Sequence, residues 1–69
     1  MITEQIGTRI RELRKEKSIS QEKLALKAEL DRTYLAGVEL GKRNPSVKSL
    51  QRILQALDIS FEQLAAAFS

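Results

Sequence analysis

Cysteine and histidine are both absent from this chain of 69 residues. Without them there is no disulfide, no thiol nucleophile, no serine–histidine relay and no zinc site of the Cys/His type. Aromatic residues are few, with one tyrosine, two phenylalanines and no tryptophan; proline occurs once and glycine three times. The nine acidic residues are scattered without calcium-loop spacing, so no metal and no cofactor are expected. No pair of carboxylates marks an evident pocket, and the chain is not expected to be an enzyme. The longest apolar run, Leu64 to Phe68, falls far short of the roughly 20 residues that span a bilayer. No charged segment followed by an apolar one opens the sequence. The expectation is a cytoplasmic chain with no membrane partner, folded as one domain over residues 1–69.

What is present is basic charge, unevenly placed. All twelve lysines and arginines lie in residues 1–52 against seven acids, a net of +5 there, whereas residues 53–69 hold only Asp58 and Glu62. A basic body with a mildly acidic, apolar tail suits a surface that faces a polyanion and a tail with another task, or simply a solvated surface.

The pattern along the chain is helical throughout, with no alternating β-branched run and no Asn-Gly hairpin signal. Ile6, Ile10 and Leu13 recur at i, i+4, i+7, predicting a first helix over about 3–17 after a cap at Thr3. Ser20 caps a second over 21–28, with Leu24, Ala25 and Ala28 inward. After a very short turn at Glu29-Leu30, Asp31 caps a third over 32–40, with Leu35 and Val38 inward. Gly41 and Pro45 stop it. Ser46 caps a fourth over 47–57, carrying Val47, Leu50, Ile53, Leu54 and Leu57. Ser60 and Gln63 have capping-box spacing and open a fifth over 61–68. Short helices with short connections make an all-α fold.

The second and third helices have the dimensions of a helix-turn-helix. On the third, Thr33, Ala36, Gly37 and Leu40 point away from the buried Leu35 and Val38, with Arg32 and Tyr34 flanking. That face is nearly free of carboxylates and can approach phosphates without like-charge repulsion. Glycine inside a helix costs about 1 kcal/mol relative to alanine. Ala36-Gly37 therefore reads either as clearance that lets the helix seat in the major groove of double-stranded DNA or as close packing inside the protein. In the first reading the bases are read by the first turn: Arg32 forking onto guanine, Thr33 offering hydroxyl and methyl, Tyr34 at a phosphate or sugar edge.

Residues 6 to 58, from IRELRKEKSISQEKLALKAELDRTYL through GVELGKRNPS to SL and ILQALD, resemble the Cro/CI-type helix-turn-helix (XRE) family of bacterial and phage repressors. LDRTY followed by GKRNPS is most similar to the small controller proteins of restriction-modification operons. The resemblance implies a five-helix, lambda-repressor-like domain: a sequence-specific transcriptional regulator that binds a palindromic operator as a homodimer, with no small-molecule ligand. A controller protein would govern the restriction-modification operon and its own gene. It implies that Gln21 clamps a phosphate, that Arg32, Thr33, Tyr34, Ala36 and Gly37 face DNA bases, and that Lys42, Arg43, Asn44 and Ser46 hold phosphates. Arg14 and Glu39 take the positions of an internal ion pair. The sequence departs from the family at Glu29 and Ser18, where glycine is usual, and at Leu40, where a polar residue is usual. An antitoxin-like or other protein-interaction module with the same fold is the alternative.

In the tail, Phe61, Leu64, Ala65 and Phe68 form one apolar stripe on a helix too short to stand alone. It either closes its own core or meets a second copy across a two-fold axis, the family's usual dimer contact. A dimer would set two recognition helices about 34 Å apart, one turn of DNA.

Overall fold

The computed structural model describes residues 2–66, which form five helices: α1 (Ile2–Glu16), α2 (Gln21–Ala28), α3 (Arg32–Glu39), α4 (Val47–Leu57) and α5 (Phe61–Ala65). Three of the four connections share one design: a left-handed residue, an apolar residue and a cap. They are Ser18-Ile19-Ser20, Glu29-Leu30-Asp31 and Asp58-Ile59-Ser60. Each first residue has φ between 56° and 58°, a region that costs a non-glycine side chain about 1 to 2 kcal/mol. Its backbone bonds are those of a Schellman turn: Ile19 N–H donates to Arg14 O (3.1 Å), Leu30 N–H to Ala25 O (2.9 Å) and Ile59 N–H to Leu54 O (3.0 Å). The apolar residue folds back against the core. The third residue then caps the next helix, Ser20 accepting from Lys23 N–H, Asp31 from Tyr34 N–H and Ser60 from Gln63 N–H. Gln63 returns the bond to Ser60 N–H at 2.7 Å, completing a capping box. Two of these joints hold only the three residues and the first adds Lys17 before them, so the angle between successive helices is set largely by the joint itself.

The core is aliphatic. Ile10, Leu24, Leu35, Val38, Ile53 and Leu57 are fully buried, with Leu13, Ala25, Ala28, Leu50, Leu54 and Leu64 around them. α2 packs on α4, and α1 packs on α3. The second of these crossings is unusually close, because Gly7 of α1 lies against the backbone of α3. A Cβ at position 7 would stand 2.0 Å from the Val38 carbonyl oxygen.

Several expectations change in detail. Thr3 does not cap α1; it lies within the helix, which begins at Ile2, and its hydroxyl donates to Asn44 Oδ1 at 3.5 Å. α3 ends at Glu39, with Leu40 in the turn that follows. Of the apolar residues of α4, Val47 at its first position is exposed, since it precedes the buried stripe that starts at Leu50. Leu64 is not available to a partner: it is 3 % exposed and belongs to the core. Phe68 and the end of the expected fifth helix lie outside the described residues.

Candidate nucleic-acid interface

The orientation of α3 is fixed from below by an ion pair. Arg14 of α1 meets Glu39 of α3 in a two-point contact, Nε to Oε2 at 2.8 Å and Nη2 to Oε1 at 3.0 Å. The two residues are 9 % and 5 % exposed. The remaining polar capacity is used locally. Arg14 Nη1 donates to Ile19 O at 3.0 Å, in the turn before α2, and Gln21 Nε2 donates to Glu39 Oε1 at 3.2 Å. One fork thus ties α1, the first turn of α2 and the end of α3. It also neutralises the only carboxylate within α3, since Asp31 is engaged as the cap.

Above this anchor, Arg32 and Thr33 are exposed at the start of α3. Arg32 Nη1 lies 3.4 Å from Glu22 Oε2, an exposed pair that contributes at most about 1 kcal/mol and yields to a stronger anion. The sequence reading did not anticipate Glu22; its one signal was a carboxylate in the first turn of the neighbouring helix. Tyr34 is half-buried, and its hydroxyl oxygen accepts from Ser46 N–H at 3.3 Å. That leaves the phenolic hydrogen to donate elsewhere. Ala36 and Gly37 are half-buried. Ala36 lines a shallow groove with Arg11, Arg14, Gln21, Glu39 and Leu40, and Leu40 itself is 67 % exposed.

The loop after α3 is brought back over the helix. Gly41 has φ 78°, and both Lys42 N–H and Arg43 N–H donate to Gly37 O, at 2.9 and 3.1 Å. Lys42, Arg43, Asn44 and Ser46 are all exposed. The Arg43 guanidinium lies over the Tyr34 ring, 5.0 Å from its centre. Ser46 uses its hydroxyl as the cap of α4, accepting from Ser49 N–H. Tyr34 and the basic loop are thus joined through Arg43 and Ser46, Arg32 and Thr33 precede Tyr34 on the same turn of α3, and Gln21 is tied to the other end of the helix through Glu39.

Residues 10–64 match the family model described as helix-turn-helix, and the chain belongs to that family, in its Cro/CI (XRE) branch. Within it, the similarity runs to restriction-modification controller proteins. The control protein C.MunI of Mycoplasma sp is 44 % identical over 59 residues, covering 84 % of this chain and 80 % of the relative. The crystal structure of the controller protein C.AhdI from Aeromonas hydrophila is 45 % identical, covers 90 % of this chain and 94 % of that one, and superposes with a TM-score of 0.87. The controller protein C.Esp1396I, as a tetramer in complex with its natural 35 base-pair operator, is 36 % identical with a TM-score of 0.91, covering 97 % of this chain and 88 % of that one. No helix among the described residues is long and apolar enough to cross a membrane.

Proposed function

We propose that this chain is a sequence-specific DNA-binding transcriptional regulator that acts as a homodimer on a palindromic operator and controls a restriction-modification operon together with its own gene. The observation that carries the reading is the exposed first turn of α3. Arg32 and Thr33 project there from a helix whose own carboxylate is already paired with Arg14. The similarity to controller proteins, one of them described on its operator, supports it. In this reading Arg32 forks onto a guanine edge and Thr33 meets a thymine methyl. Tyr34 and Ala36 line the groove, while Gln21, Lys42, Arg43, Asn44 and Ser46 hold the backbone.

Selection from a random-site library tests it. A palindromic sequence should be enriched. Arg32→Ala should weaken that site by about 1 to 3 kcal/mol and relax preference at one base pair. Lys42→Ala should weaken all sequences alike and lower the slope of log affinity against log salt by about 1. Failure to enrich any sequence over bulk DNA ends the proposal.

The dimer rests on Phe61, which is 48 % exposed with Ala65 also exposed on the same short helix. Size-exclusion with light scattering should give a dimer for the parent chain and a monomer for Phe61→Glu. A parent chain that runs as a monomer at high micromolar concentration would remove the two-fold axis from the model of binding.

A further inference from the structure

Gly37 is the one residue of α3 whose missing side chain is occupied by another residue's. A Cβ built there would stand 2.6 Å from Arg43 Cγ and 3.5 Å from Arg43 Cβ. The two residues are also joined through the backbone, because the Gly37 carbonyl accepts from both Lys42 and Arg43. The stem of Arg43 is thereby laid across the helix, and its guanidinium comes to rest on the Tyr34 ring. That ring is itself fixed by the bond from Ser46 N–H. Arg9, Arg14 and Arg32 each pair with a carboxylate, whereas Arg43, like Arg11 and Arg52, does not among the described residues. A cation held by an aromatic face and a glycine seat, with its charge unanswered, is ready to receive an anion.

We propose that Gly37 is a positioning residue for Arg43: the absent Cβ creates the seat that, with Tyr34, aims the Arg43 guanidinium at the DNA. The inference rests on the DNA-binding reading above, and it relocates the role of the glycine. The clearance at position 37 admits a side chain of the protein itself, and through that side chain it acts on the nucleic acid. Holding the stem of a rotamer-rich residue in advance reduces the ordering cost when it binds.

The test is a double-mutant cycle of Gly37→Ala and Arg43→Ala on the full chain, read by operator affinity and by side-chain NMR without DNA. Alanine is the better helix former, but its methyl obliges the Arg43 stem to turn aside and leave the Tyr34 ring; the two effects offset, so Gly37→Ala should melt close to the parent chain. The Arg43 side-chain resonances should lie upfield in the parent, where the guanidinium rests on the Tyr34 ring, and should return to ordinary positions in Gly37→Ala. Operator affinity should fall about tenfold, the scale of one charge-assisted contact. In the Arg43→Ala background, Gly37→Ala should add no further loss. Equal losses in both backgrounds would show that the glycine meets DNA directly, and an unchanged upfield shift in Gly37→Ala would show that no seat exists; either overturns the inference. The NMR result decides the seat even if the parent chain selects no operator, so failure of the DNA reading is separable from failure of this one.

Discussion

Replacing Glu39 by alanine is expected to cost about 3 to 5 kcal/mol, because it strands the Arg14 guanidinium in a place largely closed to water. A domain of this length has roughly 3 to 10 kcal/mol in total, so Glu39→Ala should be partly or wholly unfolded at 25 °C. The reason lies in the geometry: two short bonds at 2.8 and 3.0 Å, with Gln21 and the Ile19 carbonyl using the remaining polar positions. Deleting one charge leaves all of that arrangement without its centre. Removing both charges is a different matter. Arg14→Met with Glu39→Met should recover most of the loss, because burying two apolar chains avoids the desolvation that the ion pair must offset. Urea melts of the two single variants and the double variant give the coupling directly. High salt should change little, since a buried pair is poorly screened. A Glu39→Ala loss below about 1 kcal/mol would mean that the fork does not hold α3 to α1.

Gly7→Ala is the second large effect, and its sign is the point at issue. By helix propensity alone, alanine in the middle of α1 should stabilise by about 1 kcal/mol. The structure requires the opposite. The new methyl would lie 2.0 Å from the Val38 carbonyl oxygen, and backbone cannot step aside as a side chain can. α1 and α3 must separate, and overpacking of this kind costs about 1 to 3 kcal/mol or more. The same carbonyl accepts the Gly41 N–H at 3.0 Å, so the turn that carries the basic loop would shift as well. Thermal denaturation should show a fall of the order of 10 °C for Gly7→Ala, and Gly7→Val should not fold. A higher melting temperature for Gly7→Ala would contradict the close crossing.

Gly7 also shows where reading the sequence reached its limit. It follows Ile6 and lies three residues before Ile10, on the face that the i, i+4, i+7 spacing had already marked as inward. The pattern identified the face but not the distance to the next helix, which depends on the fully folded crossing. Local chemistry was far more legible. The caps at Ser20, Asp31, Ser46 and Ser60 each make the expected bond, because an N-cap is decided within four residues. Glu29 and Ser18, the two turn positions where the resembled family has glycine, both have left-handed backbone, at φ 57° and 56°. The Arg14–Glu39 pairing came from the same resemblance; composition alone offers many possible partners for each charge. The seat of Arg43 at Gly37 was not legible at all. It depends on how a turn after α3 folds the chain back, and the neighbouring GKRNPS stretch reads as a basic loop whatever its path. Leu64 illustrates the reverse case: an apolar stripe does not say which of its members the protein keeps for its own core.

The three-residue joints have a thermodynamic consequence. α2 and α3 have eight residues each and α5 only five, lengths at which an isolated helix does not persist in water. α3 is held to α2 by a three-residue joint and to α1 by the Arg14–Glu39 fork, so it cannot loosen without disturbing its neighbours, and the order of α3 and the order of the whole domain are a single equilibrium. An operator that binds only the ordered state therefore raises the melting temperature of the entire chain. At a free operator concentration one hundred times its dissociation constant the gain is about 2.7 kcal/mol. Calorimetry of the protein with and without a DNA duplex would then report affinity through heat stability, with no label on either partner.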